Sequence, residues 1–273
     1  MPSFAEELTP QQIDEVVKHL RTLCRDASWP RGELNLPLPF ATEKAFPEDE
    51  TVIKTAVAAH GAPDVNSELV YEHRFGVRNQ LELSIPFAVV HDESGTAARG
   101  VGDVGIGVKR VLFAGRSSIF SAQGELVVPT GNRDKGLGAG VAVFEAFGAY
   151  GQMLPANMFL RAQAGTEQPT STDETPRSVF GRVAFGKSFR EELGLGRLWS
   201  PMFELLSDRD LEDGAKTNLD ALPQFQVTLS RRQHVRVNFG LQIPVTNTAG
   251  RPKQFVFYLL WDWFDGGLLD GWK

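Results

Sequence analysis

The chain has 273 residues, 42% of them hydrophobic and 23% charged, with a formal net charge of −6. That is ordinary globular composition, and the acidic balance speaks against a nucleic-acid partner, which requires a basic face. No run of about 18 apolar residues occurs, which excludes helical membrane spans and leaves strand-built ones open.

The first predicted element is a helix over TPQQIDEVVKHLRTLC, residues 9–24, with Ile13, Val16, Val17, Leu20 and Leu23 on one apolar stripe. Thr9 is placed to cap it, Pro10 sits in the first turn where no N–H is needed, and Gln12 completes a capping box. Residues 26–49 contain Pro30, Pro37, Pro39 and Pro47 and have no period, so they read as an ordered but irregular linker. From residue 50 onward the period is two. Strands are expected near 50–60, 65–76, 79–90, 101–113, 118–129, 139–152, 157–167, 178–190, 197–207, 219–230, 234–246 and 253–264, about twelve in all.

The connections alternate in character. GVRN, AGRSS, MLPAN and RRQH are tight, with REELGLGR longer in the same series, whereas HDESGTAARG, TGNRDKGLGAG, EQPTSTDETPR, SDRDLEDGAKT and TNTAGRPK are long and polar. Outer-membrane barrels have even strand counts, short periplasmic turns and long external loops, and a soluble sandwich has no reason to sort its loops this way. LSIPF (83–87), LVVPT (126–130) and LQIPV (241–245) each carry a proline toward the end of a strand that precedes a long loop, which predicts three prolines near the outer rim.

In VRVNFGLQIPV, residues 235–245, Val235, Val237, Phe239, Leu241 and Ile243 share one face, while Arg236, Asn238 and Gln242 share the other. Alternation alone serves a soluble barrel as well as a membrane barrel. The closing run FVFYLLWDWF, dense in outward aromatics, suits a membrane-interface girdle and selects lipid for the apolar face. The charged set expected to line the lumen is Glu68, Glu72, Arg74, Glu82, Asp103, Lys109, Glu125, Glu145, Arg161, Arg182, Arg236 and Asp262. Such charges must be hydrated or paired. Mixed signs allow either a narrow wet pore or a cross-braced, nearly closed lumen.

GVGDVG at residues 100–105 matches the letters of a dinucleotide fingerprint, but IGVKRVLF continues with period two and supplies no helix for a pyrophosphate. Its glycines are expected where the barrel bends or crowds. GNRDKGLG lacks the ending of a phosphate loop, DRDLEDG misplaces its glycine for an EF-hand, and the five histidines show no ligand spacing. No catalytic residue and no metal site is expected, and nothing marks the chain as an enzyme.

Three patterns resemble the outer-membrane family named after the MetA pathway of phenol degradation, a group of transporters. They are the Gly100, Gly102, Asp103, Gly107, Lys109 run, Pro129-Thr130-Gly131, and EHRFGVRNQLELSIPF at 72–87. This resemblance covers 50–265 and implies a transport barrel in the bacterial outer membrane, with no substrate residues to carry over. MPSF followed by LTPQQIDEVVKHLRTL resembles the tail of a class I cytochrome c domain, which implies Met1 as an axial ligand of haem c and Ile13, Val16, Val17 and Leu20 as a packing face. Cys24 is the single cysteine, so the Cys-x-x-Cys-His attachment motif is missing.

The reading is therefore an all-β, antiparallel up-and-down transmembrane β-barrel. Its expected divisions are a cytochrome-like helix at 1–25, a linker at 26–49, the barrel at 50–265 and a tail at 266–273. Its expected function is an outer-membrane pore, the membrane part of a longer, exported c-type cytochrome fusion. Outer-membrane lipid and periplasmic electron-transfer proteins would be its partners. The alternatives are a non-transporting barrel that anchors a cytochrome, and a soluble β-barrel binding protein.

Overall fold

The structure is a computed structural model, and it describes residues 7–22, 34–59, 64–91, 95–190, 198–230 and 233–263. Helix α1 spans Pro10–Thr22. The Thr9 N–H donates to Gln12 Oε1 and the Gln12 N–H donates to Thr9 Oγ1, so the expected capping box is formed. The helical stripe is uncovered, with Ile13, Val16 and Leu20 all exposed.

The strands are β1 (Glu50–Ala58), β2 (Val65–Phe75), β3 (Asn79–His91), β4 (Ala97–Val101), β5 (Val104–Ala114), β6 (Ser118–Val128) and β7 (Val143–Leu154). After these come β8 (Met158–Pro169), β9 (Ser178–Lys187), β10 (Phe189–Arg190), β11 (Leu198–Asp210), β12 (Asn218–Thr228), β13 (Val235–Pro244) and β14 (Gln254–Asp262). Neighbours pair antiparallel, and β1 pairs with β14 as well as with β2, so the sheet closes on itself. β4 is an outward extension of the β5 wall and β10 a continuation of β9, which leaves a closed barrel of twelve antiparallel strands, as the period-two pattern predicts.

Closure leaves a two-sided wall. Outside, Phe239 is 60% exposed and Phe255 58%. Inside, Lys109 and Glu204 are 0% exposed and Arg161 1%. Val235 departs from the outward reading: it is fully buried at the β12–β13 turn, where its N–H donates to Ser230 Oγ.

The expected single strand at 101–113 is broken at Gly102–Asp103, between β4 and β5. Pro86 lies opposite this break, inside β3 instead of at its margin, and its carbonyl accepts the Gly102 N–H. Proline has no N–H to donate to a ladder, so the irregularity and the missing donor coincide. Pro129 follows β6 and Pro244 ends β13, both at strand margins.

Candidate functional site, a plugged lumen below an open vestibule

Residues 34–49, read from sequence as a linker, lie inside the barrel. Leu34, Leu36 and Leu38 are buried at every second position. Leu34 joins Phe46, Val111, Ile119, Phe147 and Phe180 in one apolar cluster, Leu36 packs with Phe159 and Met202, and Leu38 packs with Val52, Val70, Tyr258 and Leu260. Each such side chain contributes about 1.5–3 kcal/mol when fully buried.

An extended segment in a lumen has no ladder partner, so its backbone groups must be satisfied by side chains of the wall. Tyr258 Oη donates to the Leu38 carbonyl at 2.6 Å and Arg161 Nη1 to the Pro37 carbonyl at 3.0 Å. The Leu38 N–H donates to Gln226 Oε1, the Glu43 N–H to Gln163 Oε1 and the Glu48 N–H to Gln80 Oε1. Glu204 collects four donors of the loop, the N–H groups of Phe40, Ala41 and Thr42 and the Thr42 hydroxyl at 2.6 Å, and a fifth from the Gln224 amide. Pro37 and Pro39 bring no N–H, which removes two donors that the wall would otherwise have to meet.

The path of the segment follows from its partners. Asn35 and Leu36 lie beside Asn157, Ser188 and Gln233, near the tight turns. Ala41 and Glu43 reach Arg182 and Gln163 at mid-strand. Lys44 and Glu48 return to Glu50 at the start of β1. The segment is thus a loop that rises from the tight-turn end to mid-barrel and descends again.

Above its apex, on the long-loop side, opens a vestibule of about 550 Å³. Phe40, Ala41 and Glu43 belong to its lining, together with Glu68, Glu82, Glu125 and Glu145 from the wall and Leu137 from the β6–β7 loop. Leu137 is held there by Asp103, whose carboxylate accepts the Gly131 N–H at 2.8 Å and the Ala139 N–H at 2.6 Å. Thr130 closes the β4–β5 break: its hydroxyl donates to the Gly102 carbonyl and accepts the Val104 N–H. A Cβ on Gly138 would come within 2.4 Å of the Asp103 carboxylate, so glycine is required for that approach. The glycine-aspartate run and the Pro-Thr-Gly, far apart in sequence, form one latch at the outer mouth.

The charged residues singled out from sequence fall into three groups. Glu72, Glu82, Lys109, Arg161, Arg236 and Asp262 are buried inside; Lys109 Nζ lies 3.4 Å from Glu72 and 3.9 Å from Glu82, and Arg236 lies 3.6 Å from Asp262. Glu68, Glu125, Glu145 and Arg182 line the vestibule, while Asp103 ties down its loop. Arg74 instead sits at the β2–β3 turn, where it donates to the Gly76 and Val77 carbonyls. Met1 lies outside the described residues.

Gln163 and Gln224 share the polar face of their strands with the charged set, whereas Lys44, Glu204 and Tyr258 are not marked as site residues by the sequence. Glu204, Gln224 and Tyr258 do fall on the polar parity of their strands, but nothing in sequence marks residues 34–49 as the partner they serve.

No protein-family description matches the chain, and no curated protein matches it. Solved structures do. The COG4313 outer membrane channel from Pseudomonas putida F1 superposes with a TM-score of 0.57 at 14% identity, over 83% of this chain and 97% of that one. The KdgM porin superposes with a TM-score of 0.54 at 6% identity, over 78% and 98%. A second KdgM structure, in complex with disordered oligogalacturonate, gives 0.52. The fold is that of outer-membrane channel barrels.

Proposed function

We propose that the chain is a channel of the bacterial outer membrane, closed in this conformation by its own residues 34–49. One observation carries the reading: the polarity of the wall is inverted relative to a soluble barrel. Charged and amide side chains fill the interior while large apolar ones stand uncovered outside, a distribution that water penalises and lipid rewards. The direct test is Phe239→Arg. Lipid contact predicts destabilisation by about 2–4 kcal/mol in bilayers if the site lies near the midplane. An exposed position on a soluble protein predicts a change within about 0.5 kcal/mol, and that outcome would sink the membrane reading.

Transport then requires the loop to move, since its backbone is tied to several strands at mid-barrel. Proteoliposome swelling with small neutral solutes tests this, comparing the native chain with Glu204→Ala. Membership of the phenol-pathway transporter group is supported by the latch that its motifs form, and an aromatic cargo would be checked in the same assay with phenol-derived solutes.

A second reading joins α1 to a c-type cytochrome. Its support is the uncovered stripe of Ile13, Val16 and Leu20, a packing face with no partner among the described residues. Covalent haem staining of the native outer-membrane band tests it: a haem-free band removes the electron-transfer role and leaves the channel.

A further inference from the structure

The strand register aligns acidic residues in one continuous row. Asp262 pairs with Glu50, Glu50 with Glu72, Glu72 with Glu82 and Glu82 with Gly107. The row goes on from Gly107 to Glu125, Glu125 to Glu145 and Glu145 to Glu167. Residues directly opposite in antiparallel strands point to the same face, about 5 Å apart. Asp262 and Glu50 lie at the tight-turn end and Glu167 close to the long-loop end of β8, so the row climbs the inner wall like a staircase. Like charges placed directly opposite each other are destabilising, and a run of them in adjacent strands requires compensation.

The lower steps have it. Lys44 Nζ is 2.6 Å from Glu50 and 3.0 Å from Glu48, and Lys109 serves Glu72 and Glu82. The wall therefore already accommodates primary ammonium groups, one of them brought by the internal loop itself. The upper steps present the same carboxylates without such a group. Glu125 accepts the Ser84 hydroxyl and Glu167 the Ser178 hydroxyl, and among the described residues neither these two nor Glu145 pairs with a lysine or arginine. The vestibule's own cations make their direct bonds elsewhere, Lys54 to Glu43 and Arg182 to the Ala41 carbonyl and Gln163 Oε1, so that neither forms an ion pair with Glu125 or Glu145.

A second observation points to a ligand. Gln163 lines the vestibule and is 3% exposed. Its Oε1 accepts from the Glu43 N–H and from Arg182, which fixes the amide, yet its Nε2 has no hydrogen-bond partner. A buried donor left unmet is unfavourable, and an acceptor oxygen on a bound molecule would satisfy it. Among the described residues, the sets of three carboxylates whose oxygens lie within 4.8 Å of one another are Glu43, Glu72, Glu82 and Glu48, Glu50, Asp262, both beside lysine; the upper steps form no such set, which favours an extended cation over a metal ion.

We propose that the upper staircase binds an organic cation carrying a primary ammonium and an acceptor oxygen, the ammonium taking on Glu125 and Glu145 the place that Lys44 takes on Glu50. The volume of the vestibule suits a small organic molecule. As the selectivity of a channel this rests on the function proposed above; as a binding site it does not. The test is equilibrium dialysis of the full chain in detergent against 5-aminopentan-1-ol, pentane-1,5-diol and 5-hydroxypentanoate.

The amino alcohol is expected to be retained at least about tenfold more tightly than the diol at low salt, and the hydroxy acid least. Glu125→Gln with Glu145→Gln should bring the amino alcohol to the level of the diol, with heat-modifiable gel migration unchanged. Glu145→Lys, which tethers an ammonium to the site, should abolish the preference by itself. Equal retention of the three solutes, or a preference that survives both variants, overturns the proposal. Proteoliposome swelling separates the two readings: selective binding with no solute entering even in Glu204→Ala removes the channel and leaves the site.

Discussion

The lower and upper halves of the barrel interior are built from the same residue types and handle them in opposite ways. Below mid-barrel, charge is consumed internally: Lys44 meets Glu48 and Glu50, Lys109 meets Glu72 and Glu82, and Glu204 gathers donors of the loop backbone. Above it, Glu125 and Glu145 face a cavity, with hydroxyl or no partners. The lesson is that a charged inner face is not in itself a pore lining. Half of this one is the receptor for a segment of the same chain, and only the other half remains available to a solute.

The largest expected effect that sharpens this contrast is Lys44→Met. Removing one member of a buried ion pair destabilises by about 3–5 kcal/mol, because the partner charges remain buried. Here the expected relief is release of the loop, seen as protease cleavage within residues 34–49 while the barrel keeps its heat-modifiable migration. Glu204→Ala follows at about 3 kcal/mol, from the Ala41 and Thr42 N–H groups and the Thr42 hydroxyl left unmet at about 1 kcal/mol or more each, the Phe40 N–H keeping Gln224 Oε1. Long open-channel events in planar bilayers are its readout, and an unchanged closed baseline would break the assignment of the loop as the closing element.

Thr130→Val tests the outer latch without touching the loop. Loss of the bonds to Gly102 and Val104 should weaken the outer mouth by about 1 kcal/mol, read as faster hydrogen exchange over residues 129–142 with no change in channel closure. Smallest of all, Glu145→Gln should alter unfolding stability by no more than about 0.5 kcal/mol, because it breaks no ion pair. Should it prove as damaging as Lys44→Met, the distinction between the two halves fails.

Much of the wall is legible in the chain itself. Alternation at β13 and β14 assigns Phe239, Phe255 and Phe257 to the outer face, and loop lengths sort the two ends. Thr9, Pro10 and Gln12 state the start of α1. These are local signals, since a period of two and a capping box are written within a few residues. The break between β4 and β5 is signalled by the cluster of glycines around Asp103, but which groups close it is not, because Thr130 and Gly131 arrive from another strand.

Residues 34–49 mark the limit. Their prolines remove ladder donors and they show no sustained period of two, so that read locally the segment is a linker. Sequence determined that a two-faced sheet would form, that one face would be charged, and where the turns fall. Tertiary structure alone decided that the sheet, once closed, would enclose a lumen that Leu34, Leu36, Leu38 and Lys44 could fill. The reason is that pairing across the lumen joins residues more than a hundred positions apart, as Tyr258 to Leu38 and Glu204 to Thr42. The free energy of such contacts exists only after closure brings the strands into register, and no local pattern encodes it.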